Sequence, residues 1–244
     1  MRAMIFAAGM GTRLKPLTDI MPKALVPVCG KPLLKWQIDM LMGAGIRRIT
    51  VNVHHKAEQI IDYLQANKNF GCDIRISDER DMLLETGGGL RKALTTYPTD
   101  EPTIALNADI LSTNILQDLM SAYDNQLALL VVSQRKTQRY LAFDEKLNLR
   151  GWTNVATGEV RPVGQDLSQT QLLAFSGMQI VSPQIVSYMN DIDKDKFSLI
   201  DLYMGIIDKG GIIQAYIPSD YQMMDVGKTE QLGEVEQWAT QWLK

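Results

Sequence analysis

The stretch Ala3-Met4-Ile5-Phe6-Ala7-Ala8-Gly9-Met10-Gly11-Thr12-Arg13-Leu14-Lys15-Pro16 carries the first decision about the fold. Its apolar run from Ala3 to Ala8 is short and unbroken, the pattern of a strand buried on both faces. Gly9 and Gly11 then turn the chain at the strand's carboxyl end, where an open α/β sheet receives ligands. Small residues there let backbone N–H groups approach a ligand, and Arg13 adds a fork of fixed positive donors suited to phosphate oxygens. The spacing is neither the G-x-x-x-x-G-K-[ST] of a P-loop nor the G-x-G-x-x-G of a dinucleotide fold. Taken alone, Gly9 and Gly11 support a tight turn and no more.

Outward from this stretch, strand, loop and helix repeat. Lys31-Pro32 opens a helix, with proline at an early position where its missing N–H costs nothing. Leu33, Leu34, Ile38, Leu41 and Met42 mark its inner face, and Gly43 and Gly45 end it. Residues 48–53 read as a second strand, 56–65 as a second helix and 73–77 as a third strand. The cluster Gly87-Gly88-Gly89 opens a further helix, and 103–107 is a fourth strand. This spacing predicts an α/β fold, a Rossmann-like, mostly parallel sheet with helices on both faces.

After about Gln126 the pattern becomes antiparallel. Residues 127–133 form a strand, 141–143 and 148–150 a hairpin, and short strands persist through Val160 and 172–181. Helices at 183–190 and 197–209, a strand at 212–217 and a closing helix at 228–244 complete the chain. The expectation is one domain over 1–244: a nucleotide-binding core at 1–125, a small antiparallel lobe at 126–227, and the closing helix.

Composition narrows the function. A chain of 244 residues, 45% hydrophobic and 22% charged, is an ordinary globular protein, long enough for one large α/β domain. Its net charge of −3 offers no basic field, which argues against nucleic acid as the main partner, so phosphate affinity must come from a local site. Cys29 and Cys72 stand in no metal-type spacing and read as free thiols of a reducing compartment. The apolar run at the N-terminus is too short for a signal peptide, and no stretch approaches the ~18 apolar residues of a membrane span. A cytoplasmic protein without a membrane partner is expected.

One lysine stands out. Pro22-Lys23-Ala24-Leu25-Val26-Pro27-Val28 holds Lys23 between rigid and apolar neighbours soon after the glycine loop. Lone lysines are usually solvated; held by rigid neighbours close to the expected phosphate site, this one reads at least as readily as a charge-neutralising group. His54 and His55 follow the second strand with no base or metal partner in view and read as loop histidines.

Together, A-A-G-M-G-T-R-L-K-P and M-P-K-A-L-V-P-V resemble the signature of sugar-1-phosphate nucleotidylyltransferases, G-x-G-T-R-x-x-P-L-T followed by P-K. Thr12, Arg13, Pro16, Leu17, Thr18, Pro22 and Lys23 match in order and spacing. The resemblance recurs at Leu84-Glu85-Thr86-Gly87-Gly88-Gly89, at Asn107-Ala108-Asp109 (alanine for the family's glycine), at Phe175-Ser176-Gly177 and at Asp225-Val226-Gly227. It implies the nucleotide-diphospho-sugar transferase fold, with a sugar-binding antiparallel lobe. It also implies that a nucleoside triphosphate and a sugar 1-phosphate are the partners, and that Mg²⁺ is the cofactor.

The implied roles run residue by residue. Arg13 and Lys23 are the catalytic cations, and Asp109 and Asp225 hold the metal, whose preference for one or two carboxylates plus phosphate oxygens fits. Ala7, Ala8, Gly9, Gly11, Thr12, Arg13, Glu85, Thr86, Gly87 and Gly88 meet the nucleotide; Asn107 and Gly177 meet the sugar. Residue type alone reads an isolated aspartate as a cap and Glu85 as either a base contact or a surface residue. The E-K-P-type triplet that many members carry for the sugar is missing from 147–164.

Among subfamilies, the pattern is most similar to N-acetylmuramic acid 1-phosphate uridylyltransferases of cell-wall recycling, which makes UTP the expected donor. Mannose- or heptose-1-phosphate guanylyltransferases using GTP are the alternative. Outside the family's activity stand two further readings, a glycosyltransferase of the related nucleotide-sugar fold and a non-catalytic nucleotide-sugar-binding homologue. An oligomer is compatible with the sequence.

Overall fold

The computed structural model describes residues 1–98 and 100–243. Strand β1 (Arg2–Phe6) leads through a 3-10 turn at Thr12–Leu14 and a short helix α1 (Leu17–Ile20) to a second 3-10 turn, Lys23–Leu25. The two-residue strands β2 (Pro27–Val28) and β3 (Lys31–Pro32) follow, then α2 (Leu33–Gly43), β4 (Arg48–Val53), α3 (Ala57–Ala66) and β5 (Asp73–Asp78). Next come α4 (Glu85–Thr96), β6 (Thr103–Asn107), β7 (Ile110–Ser112) and α5 (Leu116–Ala122). The second half runs β8 (Ala128–Ser133), β9 (Arg139–Phe143), β10 (Leu149–Asn154), β11 (Glu159–Arg161) and β12 (Gln171–Val181). It ends with α6 (Ile185–Asn190), α7 (Leu199–Asp208), β13 (Ile213–Tyr216), β14 (Met223–Asp225) and α8 (Leu232–Trp242).

These elements gather into two compact units. The first comprises Met1–Leu83, Ala105–Gln117 and Asp220–Lys244; the second comprises Leu84–Ile104 and Asp118–Ser219. In the first, β4 pairs in parallel with β1 and with β5, in a register that aligns Phe6, Asn52 and Ser77. The crossovers carry α2 and α3, so the expected α/β pattern holds here. Ala3, Ile5, Val51 and Val53 are fully buried; β1 reads as a continuous apolar run after Arg2, while β4 alternates Ile49, Val51 and Val53 with Thr50 and Asn52, polar residues that are buried too. Residues 105–107 of β6 lie beside β1, and β7 pairs antiparallel with β14.

The second unit is antiparallel around the long strand β12. That strand pairs with β9 at its start and with β8 along the rest, while β10 joins β9 to β11. One parallel pair, β8 with β13, completes the unit. Ser198 caps α7 through a full capping box with Asp201, which fixes the helix start two residues after the expected Phe197.

The local differences have physical reasons. Strand β1 ends at Phe6, so Ala7 and Ala8 belong to the turn. The two- and three-residue strands β2, β3, β7 and β14 are too short to leave a periodic signal. The closing helix begins as a 3-10 turn at Thr229–Gln231, and its expected last residue, Lys244, lies outside the described residues. Among the described residues no helix is long and apolar enough to cross a membrane.

Candidate active site

The glycine loop leaves the first unit's sheet with its first peptide bond fixed from both sides. The Phe6 carbonyl accepts from the Ala108 N–H at 3.1 Å, and the Ala7 N–H donates to Asn52 Oδ1 at 2.7 Å. The Ala7 N–H is thereby occupied, which leaves ligand contact by loop amides to the residues that follow. Gly9 is exposed, and a Cβ built on it would have no heavy atom within 4 Å. Gly11 is different: its φ is +64°, and a Cβ would lie 2.7 Å from Thr18 Cγ2 and 3.0 Å from Lys23 Cβ. Its carbonyl takes the Thr18 hydroxyl and the Leu14 N–H, both at 2.9 Å. The loop is therefore wound onto Thr18 and Lys23, with Thr12 and Arg13 left exposed above a buried Leu14.

Lys23 sits at the head of its 3-10 turn, and its ammonium donates to Asp109 Oδ2. The two side chains keep only 12% and 29% of their exposure, so the pair is half-withdrawn from water yet still reachable. Asp225 is brought to Asp109 by the β7–β14 ladder, which pairs Asp225 with Ile110, and the Val226 N–H donates to the Asp109 carbonyl at 2.9 Å. Arg13 closes the group. A Cβ on Gly227 would lie 3.3 Å from Asp225 Oδ1 and 3.4 Å from an Arg13 terminal nitrogen, so both charged groups converge over that glycine. The four residues implied for catalysis and metal binding are thus assembled in one unit from four separate chain segments.

One apolar cluster holds all four. Leu14, Val26, Leu111 and Val226 are buried in it together with Val235 and Ala239 of α8. Arg13 and Asp225 each directly precede a member, while Lys23 and Asp109 lie three and two residues before one. Displacing any part of this floor moves a charged group above it. Sequence reasoning assigned α8 no part in the site; only the fold shows it beneath. Asn52 was missed as well: in a strand that alternates Arg48, Thr50 and Asn52 with apolar residues, it carries no signal of its own.

The donor set suits a hard divalent cation. Among the described residues no cluster of three or more His, Cys, Asp or Glu forms a closed cage. Two carboxylates that rely on substrate phosphates to complete the shell are what Mg²⁺ accepts. The Lys23 ammonium against Asp109 shows a cation already favoured at that carboxylate.

The remaining implied residues belong to the second unit, apart from Asn107, the last residue of β6, which is in the first. Glu85 begins α4 with a φ of +62° and stands exposed, its carboxylate 3.7 Å from Lys196 Nζ. The Thr86 hydroxyl accepts the Leu199 N–H at 3.0 Å. The N–H groups of Gly87 and Gly88 both donate to the Phe197 carbonyl, at 2.9 and 3.1 Å. A Cβ on Gly87 would lie 2.5 Å from the Phe197 ring, and one on Gly88 would lie 2.2 Å from the Asp195 carbonyl oxygen. These two glycines let residues 195–198 press against α4, and their amides are already used there. Gly177, at φ +71°, sits where the β12–β8 register jumps, so local backbone geometry accounts for it.

Comparison with known proteins follows the same line. A family model described as nucleotidyl transferase matches residues 2–241. The N-acetylmuramate alpha-1-phosphate uridylyltransferase of Caulobacter vibrioides is 32% identical over 216 residues, covering 86% of each chain. Its counterpart in Neisseria meningitidis serogroup B is 41% identical over 112 residues, 46% of this chain and 48% of that one. A crystal structure of UDP-glucose pyrophosphorylase complexed with UDP-glucose superposes with a TM-score of 0.78 over 99% of both chains at 19% identity, which speaks to the fold alone.

Proposed function

Because the chain belongs to the nucleotidyl transferase family, and is by class a sugar-1-phosphate nucleotidylyltransferase, we propose that it transfers a uridylyl group from UTP to N-acetylmuramic acid 1-phosphate. For the chemistry, the supporting observation is the convergence of Arg13, Lys23, Asp109 and Asp225 through the β7–β14 ladder. For the substrate, support comes from the 32% identity maintained over 86% of a uridylyltransferase of that specificity.

In this reading an oxygen of the sugar phosphate attacks the α-phosphorus of UTP, the bond to the bridging oxygen breaks, and pyrophosphate leaves. The nucleophile is already ionised, so no general base is required. Rate enhancement then rests on alignment and charge neutralisation. Arg13 binds the triphosphate, and Lys23 offers its ammonium to the phosphates at the reacting centre. Asp109 and Asp225 hold Mg²⁺, which when bound supplies Lewis-acid polarisation of phosphate oxygens. Ala8, Gly9, Gly11 and Thr12 line the nucleotide, and Ala7 orients the loop. Glu85 and Thr86 are assigned to the base, and Asn107 and Gly177 to the sugar, on the family pattern. The proposed setting is the cytoplasm.

The test is a matrix of UTP, GTP, CTP and dTTP against N-acetylmuramic acid, mannose, heptose and glucose 1-phosphates, with Mg²⁺ and a pyrophosphate readout. The highest kcat/KM is expected for UTP with N-acetylmuramic acid 1-phosphate. Faster turnover of GTP with mannose or heptose 1-phosphate would move the assignment to a guanylyltransferase. Silence across the matrix would replace it with a nucleotide-sugar-binding protein.

A further inference from the structure

Beneath the glycine loop lies a buried polar pair that the reaction itself does not require. Asn52, 2% exposed in β4, accepts the Ala7 N–H at Oδ1 and donates from Nδ2 to Glu79 Oε1, both at 2.7 Å. Glu79 is 1% exposed and follows directly after β5, its own N–H donating to the Val53 carbonyl at 2.8 Å. An amide and a carboxyl group at this depth are costly unless hydrogen-bonded, and an aliphatic pair would pack there at less cost. The hydrogen bonds have one allowed polarity. The Ala7 N–H can only donate, so Asn52 turns Oδ1 towards it and Nδ2 towards Glu79 Oε1, and the amide is held in a single orientation between them.

We propose that Asn52 and Glu79 are positioning residues for the nucleotide: Glu79 fixes the flip of the Asn52 amide, and Asn52 fixes the Phe6–Ala7 peptide from which the loop springs. The other side of that peptide is held by Ala108, the neighbour of Asp109. The direction in which Ala8, Gly9 and Gly11 leave the sheet is thereby set by two side chains that do not touch the ligand. The assignment rests on the reading of this loop as the triphosphate site.

The experiment inverts the polarity of the pair. Asn52→Asp keeps an acceptor for Ala7 but sets two carboxylates against each other. The double variant N52D/E79Q restores a donor facing an acceptor at unchanged size. For Asn52→Asp the KM and the calorimetric Kd for UTP are expected to rise about tenfold, with the KM for the sugar phosphate within about twofold of its original value. The double variant is expected to recover UTP affinity to within about threefold. Hydrogen exchange of residues 7–11, followed by mass spectrometry without any ligand, is expected to accelerate in Asn52→Asp and slow again in the double variant. Unchanged exchange and UTP affinity in Asn52→Asp, no recovery in the double variant, or equal weakening of both substrates would overturn the proposal. A wild-type protein that turns over no substrate pair would sink the functional reading instead, while the exchange measurement still decides this one.

Discussion

The two glycine-bearing segments look alike as sequence and differ in what their glycines face. In the first unit, Gly9 opens onto free space with nothing within 4 Å of an added Cβ. In the second, Gly87 and Gly88 are buried against Phe197 and Asp195, and their amides are spent on the Phe197 carbonyl. Both segments match one family's signature, so the match cannot distinguish a glycine that admits a ligand from one that admits its own chain. Only the surroundings of the missing Cβ separate the two.

That contrast can be tested from both sides. The largest effect belongs to the charged residues grouped with the first loop: Lys23→Ala or Asp109→Asn should each lower kcat by roughly 10²–10⁴-fold. Because the pair is partly exposed, thermal melting should move little. Near-normal turnover in both variants would remove the chemistry from this loop. In the second unit, Gly88→Ala forces a methyl against a carbonyl oxygen and should cost about 3 kcal/mol of stability, read by denaturant titration. A fully stable Gly88→Ala protein with weakened UTP binding would reverse its assignment from packing to ligand contact.

Gly9→Ala is the mirror experiment and the smaller one. Stability should stay within about 0.5 kcal/mol, while the KM for UTP rises several-fold as the methyl enters the space left for a phosphate. If Gly9→Ala destabilises the fold as much as Gly88→Ala, the contrast between the loops collapses.

The parallel strands were legible because their residues are buried on both faces and bounded by turn formers. The spans 48–53 and 103–107 coincide with β4 and β6 for that reason. The antiparallel character of the later chain was legible through the hairpin around 144–147, where Asp144 takes the N–H groups of Lys146 and Asn148. The ladder that completes the candidate site was not. β7 and β14 are three residues each, far apart in sequence, and no local pattern announces that Asp225 will face Ile110. Asp109 and Asp225 were found by family resemblance, and their proximity became physical only with that pairing. Asn52 reads as one more polar position of an alternating strand, and its partners lie just beyond two other strands, Ala7 after β1 and Glu79 after β5, where β4's own pattern cannot name them.

The floor of the site has a consequence for how the protein is made. Val235 and Ala239 lie in the same apolar cluster as Leu14 and Val26, and the Cys29 N–H donates to Glu236, 207 positions further along the chain. A ribosome adding about 5–20 residues per second exposes the glycine loop on the order of 10–40 s before α8 emerges to support it. Through that interval the nascent chain carries the glycine loop without the α8 part of its apolar floor. The apolar cluster under the loop is thus completed only once α8 has been made.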